Sequence, residues 1–106
     1  MEQDARLGFL GILYVSHRAL IGEELFSHLE KVHFIIMAND LSSGQSKMLQ
    51  KKISSRHIPT DATSFSAEEL GKALGHGEIN FIGITDQKSA ISYVMKSTKG
   101  VKHEEK

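Results

Sequence analysis

Histidines, acids, serines and lysines are the side chains here with chemistry to offer, and their spacing decides which kind. Six histidines are scattered along the chain. None forms an i, i+4 pair or a His-x-His pair, and a metal site needs clustered ligands, so no metal is expected. The absence of cysteine excludes a disulfide framework, a thiol nucleophile and a thiolate metal site. Serines and acids are plentiful, but none sits in a recognisable strand-turn-helix elbow, so no catalytic residue and no cofactor is expected. Gly75-His76-Gly77 resembles a phosphate-cradling loop in composition only. It lacks the strand-loop-helix order and the lysine of a P-loop, which argues against nucleotide hydrolysis.

Two charged groups remain. Glu23 and Glu24 stand where a helix begins. The plain reading is a solvated turn favoured by the helix dipole, and the sharper one is recognition of base edges. Lys47, Lys51, Lys52 and Arg56 form a basic helix side. That side reads either as a solvated face or as a secondary phosphate contact.

These residues must be held by a small scaffold. The chain has 106 residues, which suits one domain with one core. Forty per cent hydrophobic and 25% charged is ordinary soluble composition. Thirteen basic residues balance thirteen acidic ones, so net charge gives no global argument for nucleic acid. The apolar run Leu7 to Val15 is too short to span a bilayer. Glu2 and Asp4 stand where a signal peptide wants positive charge. Together with the lack of cysteine, this leads to an expectation of a cytoplasmic protein without a membrane partner.

The apolar pattern predicts eight elements. A first helix spans residues 4–15, with Leu7, Phe9, Leu10, Leu13 and Tyr14 on its stripe. A connector from Ser16 to Leu20, with room for a short strand, leads to a second helix over residues 22–31 that buries Leu25, Phe26 and Leu29. His33 to Met37 reads as a strand. Ser42 and Gln45 then make a capping box for a third helix, with Met48, Leu49 and Ile53 inward. Pro59 makes residues 57–61 a short or edge strand. Ser66 and Glu69 cap a fourth helix that Gly75 ends. Ile79 to Ile84 reads as a strand buried on both faces, in which Gly83 permits either close helix packing or a bulge. A last helix covers residues 87–96, with Ala90, Ile91, Val94 and Met95 on one stripe, and residues 98–106 read as a frayed tail after a single domain of residues 1–97. Alternating strands and helices imply an α/β layered fold.

Five patterns in this order carry more information than their periodicity. They are Leu10-Gly11, Gly22-Glu23-Glu24-Leu25, Ala38-Asn39-Asp40, Ile58-Pro59 and Leu70-Gly71-Lys72-Ala73-Leu74-Gly75. Together they resemble the ribosomal protein L-seven-Ae family of kink-turn RNA binders, over residues 7 to 95, with the YlxQ-like proteins of Gram-positive bacteria as the nearest branch. The resemblance implies a three-layer α/β/α sandwich with a mixed four-stranded sheet. It implies a small non-catalytic RNA-binding protein of the ribosome or translation apparatus that recognises kinked RNA, with ribosomal or translation proteins as further partners.

Carried onto this chain, the RNA-binding positions are Arg18, Gly22, Glu23, Glu24 and His28; then Asn39, Asp40 and Ser42; then Gly75, His76, Gly77 and Glu78. The best-known members have asparagine and glutamate at the second-helix start, with a lysine one turn on. Glu23, Glu24 and Leu25 stand here instead, with His28 nearest the lysine position. Glu78 stands near a usual arginine. These acids and the neutral composition leave a second reading, a protein-interaction module on the same scaffold with little RNA affinity.

Overall fold

A computed structural model describes residues 4–53 and 56–104. Its elements, in chain order, are α1 (Ala5–Val15), β1 (Ala19–Ile21), α2 (Gly22–Ser27), a 3-10 turn (Leu29–Lys31), β2 (Phe34–Met37), α3 (Ser43–Ile53), β3 (Thr60–Asp61), α4 (Ala67–Leu74), β4 (Phe81–Ile84) and α5 (Gln87–Glu104). The strands form one mixed sheet in the order β1-β4-β2-β3. β4 runs antiparallel to both β1 and β2, whereas β2 and β3 are parallel. Pro59 precedes an edge strand, where its missing amide costs no ladder bond.

Alternation along the strands divides the core in two. Ile36, Ile82 and Ile84 pack with Leu7, Leu10 and Leu13 of α1, Leu70 and Leu74 of α4, and Tyr93 of α5. On the other face Ile35, Met37 and Phe81 pack with Leu25, Leu29, Leu49 and Ile53. Side chains point to opposite faces at successive strand positions, so one sheet serves two helical layers. The result is a three-layer α/β/α sandwich with a mixed four-stranded sheet.

Close approach depends on missing Cβ atoms. A Cβ at Gly83 would collide with Leu25 and press on Val32 at 3.2 Å. Gly83 keeps regular register with Leu20 and Ile35. Of the two sequence readings for this glycine, helix packing holds and the bulge does not. A Cβ at Gly11 would come within 2.6 Å of the Ala73 carbonyl oxygen, so α1 and α4 cross at backbone contact.

Four expectations need correction. The second helix stops at Ser27, because His28 leaves helical geometry and the chain tightens into the 3-10 turn that returns Leu29 and Val32 to the core. Met48 is 42% exposed, since α3 buries only the narrow stripe of Leu49 and Ile53. Ile91, Val94 and Met95 are exposed, and α5 instead buries Ser89, Ala90 and Tyr93. The helix also runs on to Glu104 rather than ending near residue 96. Residues 105 and 106 of the expected tail lie outside the described residues.

Tyr93 explains the turn of α5. Its hydroxyl donates to Asp61 Oδ2 at 2.9 Å, as does the Ser64 hydroxyl at 2.8 Å. Arg6 donates to Ser64 Oγ at 3.0 Å and lies over the Phe65 ring at 4.7 Å from its centroid. Burial alone would raise the Asp61 carboxyl; hydrogen bonds from Ser64, the Thr63 amide and Tyr93, together with the Arg6 charge, outweigh it and hold the group below its ordinary range. Burial and the Asp61 charge push the Tyr93 phenol far above its ordinary range. This network ties α1, β3 and α5 together. A carboxylate with a depressed pKa contributes stability that is present above its unfolded range and lost as pH falls through the folded value. Tyr93→Phe is therefore expected to cost about 1.5–3 kcal/mol at neutral pH, the scale of a hydrogen bond to a charged group. In urea titrations the gap between variant and parent narrows on acidification; a gap that is constant with pH would remove Asp61 as the partner that matters.

Candidate nucleic-acid interface

The antiparallel pairing of β4 decides which loops meet. Ile21 ends β1 opposite Ile82, and Met37 ends β2 opposite Phe81, the first residue of β4. The start of α2, the segment after β2 and the segment before β4 therefore share one end of the sheet. Gly22 turns the chain from β1 into α2 with φ of 63°, a left-handed geometry that glycine adopts freely.

The segment from Gly75 to Asn80 is anchored at several points. The capping box of Ser66 and Glu69 starts α4, and Gly75, left-handed at φ 69°, ends it. The His76 amide donates to the Gly71 carbonyl at 2.8 Å and the Ile79 amide to the Ala67 carbonyl at 3.1 Å, so the loop runs back along α4. A Cβ at Gly71 would collide with the Gly77 carbonyl oxygen. The Asn80 carbonyl accepts from the Ala38 amide at 2.9 Å, which ties the loop to the end of β2.

Between α2 and this loop lies a groove of about 330 Å³. Gly22, Glu23 and Phe26 form one wall, and His76, Glu78 and Asn80 the other. Phe26 and Phe81 meet edge to face at 5.6 Å between centroids. Ile79 and Phe81 add apolar surface. Such a site suits an unstacked base: apolar surface for its ring, with amide, imidazole and carboxylate groups for its edges. No lysine or arginine lines this groove among the described residues.

The structure separates other expected site residues from it. Arg18 precedes β1, and its carbonyl accepts from the Thr85 amide at 2.9 Å at the opposite end of the sheet. Four residues of extended chain put it roughly 13 Å from Gly22. Glu24 and His28 line a second, larger groove of about 820 Å³ on the flank of β1, with His17, Lys31 and Tyr14. Three histidines thus divide between the two grooves: His17 and His28 share this one, whereas His76 stands in the other.

The Asn39 to Ser42 segment sits at the correct sheet end with its polar groups engaged. Asn39 donates through its backbone to the Phe65 carbonyl and through its side chain to that of Thr63. Asp40 Oδ1 accepts from the Ala67 amide at 3.1 Å, and Ser42 forms its box with Gln45. These contacts hold the loop and start two helices. Sequence reasoning took Phe26 only as core, although Phe26 lies at i+4 from Gly22 and so shares the face that opens α2. Asn80 and Phe81 had no signal beyond their strand.

No family model and no curated protein matches the chain. Solved structures share its fold. A Bacillus halodurans protein of unknown function superposes with a TM-score of 0.79 at 24% identity, covering 89% of this chain and 97% of its own. The Giardia lamblia 15.5kD RNA binding protein superposes with a TM-score of 0.68 at 15% identity, covering 91% and 90%. No helix among the described residues is long and apolar enough to cross a membrane.

The groove depends on Gly71 in a checkable way. Gly71→Ala forces backbone against backbone, so a loss of about 1–3 kcal/mol in stability is expected, in the range of other overpacking substitutions. Amide NMR shifts should concentrate in residues 76–80. An unchanged melting temperature with no such shifts would mean the loop yields freely.

Proposed function

We propose that this chain is a small non-catalytic RNA-binding protein that recognises kinked RNA, associated with the ribosome or translation apparatus in the cytoplasm, of the L-seven-Ae kind and nearest its YlxQ-like branch. The observation that carries the reading is the convergence at one sheet end of Gly22, the Asn39–Ser42 loop and the Gly75–Glu78 loop, the first and last of which line a groove fit for an unstacked base. Similarity of fold to an RNA-binding protein of Giardia lamblia supports it. A sharp bend splays bases out of the helical stack, and splayed bases are what proteins read in RNA by stacking and edge contacts. In this reading the Phe26 and Phe81 surface receives a base. Glu23 and Glu78 accept hydrogen bonds from donor edges such as those of guanine, an arrangement that turns two carboxylates from a liability into a means of selection.

A second reading is favoured by one specific observation. Glu23 and Glu78 face the groove without a lysine or arginine among its lining residues. That arrangement also fits a partner protein offering a basic side chain.

One titration separates the two. A kink-turn RNA and a straight duplex of equal length are bound to the protein at two salt concentrations. The RNA reading expects at least about tenfold preference for the kinked form, or about 1.4 kcal/mol. Gly22→Asp should erase most of that preference. Open space surrounds the missing Cβ, so the strain is confined to the left-handed backbone, about 1–2 kcal/mol, and the domain should stay folded by circular dichroism. Equal or absent binding of both RNAs by the parent protein would overturn the RNA reading in favour of the protein module.

A further inference from the structure

The balanced charge of this chain is unevenly distributed. Between Asp40 and Asp61 there is no acidic residue, and the same stretch carries Lys47, Lys51, Lys52 and Arg56. The three lysines lie exposed on α3: Lys47 and Lys51 on the side away from Leu49 and Ile53, and Lys52 on the flank of that buried stripe. Helix stability gives only part of the reason: Lys51 and Lys52 stand in the last turn of α3, where cations suit the dipole, and Lys47 does not. Lys47 and Lys51 are an i, i+4 pair of like charge, which weakens a helix slightly, and α3 itself carries no acid.

Position gives the run a use. α2 and α3 pack on the same face of the sheet. Lys52 Nζ lies 5.3 Å from the centroid of the Phe26 ring. Phe26 is a wall of the groove and meets Phe81 edge to face. The basic side of α3 therefore starts at the groove's own aromatic wall and leads away from it. An RNA with a base in the groove keeps its phosphates outside, and those phosphates need cations that the groove walls do not supply.

We propose that the exposed basic side of α3, entered at Lys52, holds the phosphate backbone of the RNA whose base enters the groove. This inference rests on the RNA reading above. It divides the labour between two surfaces: the groove selects, and α3 supplies most of the salt-sensitive attraction. Phosphate contacts fix position but carry no sequence information directly, so removing them weakens all RNAs together.

The test is a salt titration of the kinked and straight RNAs against the intact chain, the double variant Lys47→Gln/Lys52→Gln, and the charge-preserving Lys47→Arg/Lys52→Arg. The glutamine pair should weaken binding of both RNAs by a common factor of roughly tenfold. The slope of log K against log salt should become shallower by about 0.7–0.9 for each lysine removed. The ratio of kinked to straight affinity should hold, and the arginine pair should restore both affinity and slope. If the glutamine pair leaves affinity and slope unchanged while the parent protein binds kinked RNA, the α3 surface is overturned and the RNA reading stands. A collapse of the kinked-to-straight ratio in the glutamine pair also overturns it, because α3 would then be reading the bend. If the parent protein binds neither RNA, both readings fall together.

Discussion

The antiparallel pairing of β4 with two neighbours is the constraint on which the rest depends. β4 lies between β1 and β2, and all its residues are buried. Its register brings the end of β1, the end of β2 and its own beginning to one edge of the sheet. Three segments separated by tens of residues become neighbours through that pairing alone. A slip of one residue would exchange the two faces, putting Ile82 where Gly83 must be. The sheet cannot slide without losing both core layers, so the geometry of the groove is inherited from the most protected strand in the molecule.

Missing side chains set the second layer of order. Gly83 lets Leu25 of α2 approach β4, Gly11 lets α1 lie against α4, and Gly71 lets the Gly75–Asn80 loop run back along its own helix. Each is a place where backbone or side chain comes closer than a Cβ allows. Their combined effect is to hold α2 and the loop near enough to form a groove rather than two unrelated surface features. In the LGKALG stretch Gly71 thus serves packing and Gly75 the left-handed helix stop, and both serve the site only through these roles. This is why their presence fits an RNA binder and a protein module equally well.

Much of this was legible in the sequence, and the misses have physical causes. Capping boxes at Ser42 and Ser66, the left-handed stop at Gly75 and the buried run before Ile84 are local signals, and local chemistry decides them. The three-layer fold follows from the order of elements and from the resemblance the glycine patterns carry. Which stripe of a helix is buried is not a local matter when the stripe is weak. On α5 the apolar run of Ile91, Val94 and Met95 lost to Ser89, Ala90 and Tyr93, because the Tyr93 hydroxyl reaches the half-buried Asp61 carboxylate. Asp61 and Tyr93 are 32 residues apart, and no periodicity within α5 announces that partner. The site divides in the same way. Topology brings Gly22, Glu23 and the loop residues to one groove, whereas Asn39 and Asp40, expected from the resemblance to touch RNA, also hold neighbouring backbone, a role that needs residues 63 and 67 and has no local signal.

The separation of Glu23 from Glu24 shows how little a carried-over motif fixes. Adjacent helical residues point about 100° apart, and α2 is a six-residue helix standing on the boundary between two grooves. Glu23 faces the groove with His76 and Glu78; Glu24 and His28, one turn apart, face the flank of β1 with His17 and Lys31. A pair that reads as one unit in the sequence is therefore two contacts on two surfaces. Any RNA that touched both acids would have to wrap the short helix rather than rest on one side of it. A sharply bent RNA has the shape for that, and a straight duplex does not. In the proposed RNA reading, selectivity for a bend can then arise from where two carboxylates point.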